Sequence, residues 1–391
     1  MPEENTEVEI YTTGNSKKPK IEPKDMKDQI KICLLGGSGT GKSCFFSGLY
    51  QSMVGDSVTI GHGKDSVDVF LNVIEMDKVE SFFGDGGEIK NAIYHSAEME
   101  KEYLIDENGF PPSTAESTVF IFELSVNSTV CCQVKIIDYA GELLDSPEEV
   151  SAQDLDKLCL LLADCDAIIV IADAIEIAKS INNKNQMQRV LHALRLNSLF
   201  TSILKTASKK NHRLSTLVAL TKSDSALIPD NIKANNFSIV SDKIANEIFK
   251  KTLIQTQKAG GSTGVIPVTA VGDNNTDEDN LLKPEADITQ KNIDVSILFC
   301  IYNAVERKIS YQEQYLKELN DQLKRLGILG NRASKAALRK KISELTNRRD
   351  LLINIREILK SDSNYFEQNI NELYMYGTSS VGETKRQMSE V

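Results

Sequence analysis

The sequence predicts an α/β fold, with a mostly parallel sheet covered by helices on both faces and a helical hairpin after it. Three observations carry that prediction. Residues 30–43, IKICLLGGSGTGKS, pass from an apolar strand pattern through glycines into a helical pattern. Later apolar runs, DAIIVIADA, STLVALTKSD and VIPVTAV, alternate with helical stretches, the rhythm of strand–helix–strand units. From Tyr302 onward, apolar residues return at three- and four-residue steps, the period of packed helices.

Each element can be justified in order. Residues 1–28 are polar and poor in apolar side chains, so a disordered tail is expected. A sheet domain is expected over 29–310. KSCFFSGLYQSM is its first helix, and a helical insertion is expected over about 56–110, in IEMDKVESFF and IKNAIYHSAEMEKEYLI. TVFIFELSV and TVCCQVKIIDYAG alternate in polarity on either side of Asn127-Ser128, as an antiparallel hairpin does. Helices are expected near 184–208 and 238–258. Residues 311–376 form the predicted basic helical hairpin, or coiled coil, and 377–391 a flexible tail. Its seam begins inside the sheet domain at Tyr302, Val305 and Ile309 and continues through Leu316, Leu319, Leu323 and Leu326. After GILGN it resumes at Leu338, Ile342, Leu345, Leu352 and Leu359, with Arg349 and Arg356 intruding.

Composition narrows the function classes. The 391 residues can fill one large domain or two modest ones. A net charge of −11 argues against nucleic-acid binding through overall charge. Residues 300–360 run against that balance, with 14 Lys and Arg against 7 Asp and Glu. A solvated helical face packed on an acidic neighbour is the favoured reading of this excess. A docking surface for an acidic protein, nucleic acid or lipid is the alternative. No run reaches the roughly 18–20 apolar residues of a membrane span. The acidic N-terminus does not have the form of a signal peptide. Seven scattered cysteines lack disulfide or zinc spacing; they are expected in the core of a protein from the reducing cytoplasm.

The chemistry centres on GGSGTGKS, which fits G-x-x-x-x-G-K-[ST] from Gly36 to Gly41, Lys42 and Ser43. In such a loop, glycines let backbone N–H groups curl toward phosphates, so Gly36, Gly37, Ser38, Gly39, Thr40, Gly41 and Cys44 are expected to line them. Lys42 supplies a point charge to the β- and γ-oxygens, Ser43 a hydroxyl to Mg²⁺, and the following helix its positive end. Asp138 ends an apolar strand, where a carboxylate can hold a metal-bound water, and Gly141 three residues on can offer an N–H to a γ-phosphate. TKSD, from Thr221 to Asp224, ends another strand. Asp224 can accept from the N1–H and N2–H₂ of guanine, donors that adenine lacks, while the Lys222 stem covers the ring. Thr269-Ala270 follows the last strand, and the Ala270 N–H is placed to meet the guanine O6.

These motifs, in this order and each at the carboxyl end of a strand, resemble the small-GTPase-like proteins of the translation-factor-related class over roughly 30–310. The resemblance implies a P-loop fold, GTP and GDP as ligands, Mg²⁺, and a switch cycle with protein effectors. It further implies a switch threonine that binds Mg²⁺, for which Thr114 in FPPSTAEST is the best match and Thr118 the second. The long run before that switch, the PP-S-T element and the glutamate in DYAGE are similar to the bacterial double-GTPases, which implies conflict, defence or signalling.

Two departures bear on catalysis. Glu142 stands where many relatives hold a water-orienting glutamine, and it is either a base or inert. Arginine is absent from residues 1–188, so neither switch supplies an arginine finger in cis. Ser38 and Gly39 replace residues that serve acceleration in some relatives. Slow intrinsic hydrolysis, assisted by a partner, is therefore expected. The alternatives are a non-hydrolysing nucleotide-stabilised scaffold and a P-loop ATPase or kinase.

Overall fold

The computed structural model describes residues 29–37, 39–49, 57–60, 67–73, 118–127, 129–138, 162–181, 214–234, 262–272, 289–326, 331–361 and 374–376, with isolated positions between them. The two expected tails, the helical pieces at 74–83 and 89–105 and the helix near 238–258 lie outside the described residues. Of the helix near 184–208, positions 185, 202, 203 and 205–207 are described and are helical.

Among the described residues, nine strands form one sheet in the order β2-β3-β4-β5-β1-β6-β7-β8-β9. Its parallel centre is β5 (Thr129–Asp138), β1 (Gln29–Leu35), β6 (Ala167–Asp173), β7 (Ser215–Thr221) and β8 (Thr263–Pro267). All seven residues of β7, and six of seven in β6, are buried, as expected for strands covered on both faces. On one face, Ile30, Ile32, Leu34, Ile169 and Leu217 join a core with helix α1 (Lys42–Leu49). On the other face, Cys33, Ile168, Val170, Val218 and Leu220 are equally buried. Helices α2 (Ala174–Ser180) and α3 (Asp230–Ala234) follow β6 and β7. All seven cysteines are free thiols, five of them buried, in keeping with a core role.

Antiparallel strands flank this centre. β4 (Thr118–Val126) and β5 form the predicted hairpin, with Asn127 at φ 46, a left-handed conformation that Asn tolerates through its short polar side chain. The Asn127 Oδ1 accepts from Asp68 N at 2.9 Å, so the turn is also stitched to β3 (Val67–Val73). β3 pairs with β4, and β2 (Val58–Ile60) with β3. The first part of the insertion expected to be helical is thus strand. Val69 and Leu71 point into the core while Asp68 and Asn72 alternate with them, a period of two that outweighs any helical reading. At the opposite edge β9 (Tyr374–Tyr376) pairs antiparallel with β8.

Two long helices complete the core. In α4 (Ile293–Arg325), residues Ile293 to Ile309 contribute eleven members of the main apolar cluster. α5 (Arg332–Ser361) returns beside it and adds Leu352, Ile355 and Leu359 to the same cluster. The boundary expected at 310/311 therefore falls inside one uninterrupted helix. Among the described residues, the distal halves have a cluster of their own, Leu316, Leu319 and Leu345 with Tyr315, Leu338 and Ile342. The Asp166 carboxylate anchors α4 under the sheet. It accepts from Lys31 N at 2.9 Å and Arg307 Nη2 at 2.9 Å, with Lys308 Nζ at 3.4 Å.

Candidate nucleotide-binding site

The loop from Gly36 to Gly41 joins β1 to α1 at the carboxyl edge of the parallel strands, where open α/β sheets take their ligands. Sterics explain its glycines. A Cβ on Gly36 would lie 2.7 Å from the Ile171 carbonyl oxygen, so only glycine lets the loop leave β1 against β6. Gly41 has φ 91, which glycine alone adopts without strain. The Thr40 hydroxyl donates to the Gly37 carbonyl at 2.8 Å. The buried Lys42 ammonium curls back into the loop, donating to the Gly36 and Gly37 carbonyls at 2.7 and 3.2 Å. Ser43 and Cys44 are half-buried on the first turn of α1. Burial pushes the Cys44 thiol up to about 11, so it is unreactive near neutrality.

Asp138 ends β5, whose neighbour β1 leads into the loop; Leu34 stands opposite it. It is 4% exposed, and its Oδ1 makes no hydrogen bond. Burial raises its pKa to about 6, against the opposing pull of the Lys42 charge. A buried carboxylate oxygen left unmatched is costly, and a cation would relieve it. No group of three or more His, Cys, Asp or Glu able to hold a metal occurs among the described residues. Asp138 could hold Mg²⁺, an ion that commonly takes one or two protein ligands and completes its shell with phosphates and water.

The TKSD segment is tied to the loop by side chains. Thr221 Oγ1 donates to the Thr40 carbonyl at 2.5 Å and lies 3.1 Å from that of Ala172. Lys222, at φ 57, donates to the Gly39 carbonyl at 3.0 Å and pairs with Asp173 at 2.6 Å. Asp224 is 5% exposed, and its backbone carbonyl accepts from Lys233 of α3 at 2.9 Å. Ser223 donates to the Val268 carbonyl at 2.9 Å, which joins this turn to the segment after β8. There the Thr269 hydroxyl accepts from the N–H groups of Val271 and Gly272, and its backbone bridges to Lys291. Ala270, half-buried, lies within that turn.

The structure therefore brings together the phosphate loop, Asp138, Thr221, Lys222, Asp224, Thr269 and Ala270 on one edge. Thr114, Gly141, Glu142 and Ser38 lie outside the described residues, and Thr118 begins β4. Sequence reasoning missed Asp173, which caps α2 through the N–H groups of Ile175 and Glu176 while holding Lys222. An aspartate between a strand and a helix was the available signal. It also missed Ser223, whose bond to a carbonyl on another strand has no local sequence signature.

A glycine-rich loop after the central strand, entered in the order β4-β5-β1-β6-β7-β8, decides the fold. It is the small-GTPase-like P-loop fold. No family model matches this chain, and no curated protein does either. Solved structures with a similar course exist. The signal recognition particle receptor SRb-GTP/SRX complex from Chaetomium thermophilum matches at 12% identity and TM-score 0.35, over 62% of this chain and 94% of that one. The S. cerevisiae Ski7 GTPase-like domain, bound to GDP and inorganic phosphate, matches at 15% identity and TM-score 0.31, over 66% and 47%. The bacterial selenocysteine-specific elongation factor EF-Sec matches at 12% and 0.24, over 62% and 25%. This chain thus spans about half or less of the latter two. No helix among the described residues is long and apolar enough to cross a membrane.

Proposed function

We propose that this chain binds GTP and GDP with Mg²⁺ and acts as a molecular switch that hydrolyses GTP slowly. The observation that supports this most directly is the Asp138 carboxylate, buried beside the phosphate loop with Oδ1 lacking a hydrogen bond. Ser43 and Asp138 would hold Mg²⁺, directly or through water, and Thr114 would join them. The ion would neutralise charge on the β- and γ-oxygens. Lys42 would exchange its two carbonyl partners for phosphate oxygens, while the backbone N–H groups from Gly37 to Cys44 cradle the phosphates. Asp224 would accept the two guanine donors, Lys222 would cover the ring from its tether on Gly39, and Ala270 would meet O6.

Thr114 and Gly141 would sense the γ-phosphate, so that its loss releases both segments to a protein effector. Glu142 would stand near the attacking water, as a base or inert. The lack of arginine before Arg189 supports slow turnover without a partner. The free thiols support a reducing cytoplasm.

Calorimetry on the full chain tests the reading. GDP and GTP are expected to bind in the presence of Mg²⁺ at least about 100-fold more tightly than ATP, the discrimination of an unmatched buried polar pair. Phosphate release without a partner is expected below about one per minute, as in unassisted GTPases. Equal affinity for ATP and GTP would overturn the guanine assignment, and turnover of tens per minute the switch with slow hydrolysis.

A further inference from the structure

The phosphate loop and the turn around Ala270 are linked beneath the site by a helix contact centred on a glycine. Helix α1 opens at the loop, with Phe45 N bonded to the Gly41 carbonyl at 2.9 Å. Gly48, in its last turn, is buried and helical, although glycine is a poor helix former. A Cβ on it would overlap Ile293 Cδ1, with Gln290 Cγ at 3.2 Å and Ala270 Cβ at 3.7 Å. The missing side chain is therefore what lets α1 approach the start of α4 so closely.

Ile293 has little room to yield. It is the first residue of α4 and fully buried. Asn292 before it, at φ 65, donates from Nδ2 to the Pro267 carbonyl at 2.8 Å. The Asn292 carbonyl in turn accepts from Ser296 Oγ at 2.7 Å. Lys291 exchanges backbone bonds with Thr269 at 3.0 and 3.1 Å, and Thr289 N donates to the Val271 carbonyl at 3.2 Å. Residues 289–293 and the turn 269–272 thus form one braced unit. Gly272, at φ 94, closes it on the other side, where a Cβ would overlap Thr289 Oγ1. A push on Ile293 is therefore passed to Ala270.

The spacing that this contact sets is a spacing within the site. Helix α1 carries Lys42 and Ser43 on its first turn, and the braced unit carries the Ala270 N–H. Asp224 has separate supports. Its carbonyl accepts from Lys233, and its neighbours Thr221 and Lys222 reach the phosphate loop at Thr40 and Gly39. Ser223 extends only to Val268, which the β7 backbone holds through the Leu220 carbonyl at 2.8 Å. The two base contacts can therefore be perturbed one at a time.

We propose that Gly48 is a positioning residue for base recognition, setting the spacing of α1 and the 269–272 turn and so the reach of the Ala270 N–H to the guanine O6. The proposal rests on the guanine reading above. Competition of nucleoside diphosphates against a fluorescent GDP analogue on the full chain tests it. 6-Thio-GDP keeps both donors for Asp224 and replaces O6 by sulfur, a weak acceptor. IDP keeps O6 and lacks the 2-amino donor. The wild type is expected to prefer GDP to both. Gly48→Ala is expected to cut the preference over 6-thio-GDP about fivefold, the contribution of one hydrogen bond, and to leave the preference over IDP unchanged. Adding Ile293→Val removes the overlapped Cδ1 and is expected to restore the first ratio. Because the overlap is with the end of one side chain and alanine favours helix, Gly48→Ala is expected to melt cooperatively. An unchanged ratio to 6-thio-GDP, an equal fall in both ratios, or no rescue by Ile293→Val would each overturn the proposal. So would loss of cooperative melting, since the glycine would then support the fold rather than the base turn. A wild type that holds the three diphosphates alike would overturn the guanine reading too, which tells the two failures apart.

Discussion

Thr221 and Thr40, 181 positions apart in sequence, are joined by a hydrogen bond from the Thr221 hydroxyl to the Thr40 carbonyl at 2.5 Å. It connects the end of β7 directly to the phosphate loop, so that base recognition and phosphate recognition share one support. Thr221→Val keeps the shape and removes the donor. Unmaking such a bond costs about 1–2 kcal/mol. Dissociation of a fluorescent GDP analogue, followed by stopped flow, is expected to accelerate by about five- to thirtyfold, the rate equivalent of that energy. Thr221→Ser is expected to restore the slow rate.

Asp138 carries the pH prediction. Its folded pKa is raised to about 6 from 3.8, so its charge destabilises the nucleotide-free fold above about pH 6. That penalty fades as pH falls from 6 through 3.8, below which the folded and unfolded states are both protonated. Asp138→Asn is expected to stabilise the fold in EDTA at pH 8 by an amount on the order of 3 kcal/mol, read as a higher melting temperature. The gain shrinks below pH 6 and vanishes only below about pH 3. The same substitution is expected to abolish the dependence of GTP affinity on Mg²⁺. A gain that is flat with pH would show that the carboxylate is not the origin.

Asp224 is expected to govern the choice of base. Asp224→Ala should raise the Kd for GDP by a factor of about 100 or more, since two guanine donors lose their acceptor in a buried site. ATP binding should change less than about threefold, because adenine offers that carboxylate no matching donors. A parallel loss for both nucleotides in competition titrations would make Asp224 a support of the turn instead.

The buried pair of Arg307 and Asp166, at 2.9 Å with side chains 8% and 3% exposed, governs stability at the other end of the sheet. Arg307→Ala leaves the Asp166 charge in the interior with Lys308 beside it and the Lys31 ammonium farther off. A loss of about 3–5 kcal/mol is expected, read from chemical denaturation. Adding Asp166→Asn should recover part of that loss, because the neutral side chain no longer needs its partner.

Much of the nucleotide edge was legible in the sequence because its determinants are local. The run into Gly36, the TKSD turn and the hairpin around Asn127 each declare a backbone requirement within a few residues. Strands β6 and β7 were legible for another reason: burial on both faces leaves an unbroken apolar run. What escaped were elements that gain their stability from distant partners. β2 and β9 are three residues each and exist through pairing with β3 and β8. β3 did carry an alternating signal, in VDVFLNV, but it sat within a stretch whose other pieces have helical periodicity. The continuity of α4 through residue 310 was hidden because core burial and hairpin packing use the same three- and four-residue steps.

The pairing of β8 with β9 has a consequence for biosynthesis. Chain growth proceeds from the amino end, and the strand that closes this side of the sheet is made well after β8, with both long helices between them. Until Tyr376 leaves the ribosome, the outer N–H and C=O groups of β8 have no strand beside them, and an open edge of that kind invites pairing with another nascent chain. Late closure also gives this domain contacts of large sequence separation, which slows folding. Cells making the protein quickly would therefore be expected to need chaperone cover until translation has passed that strand.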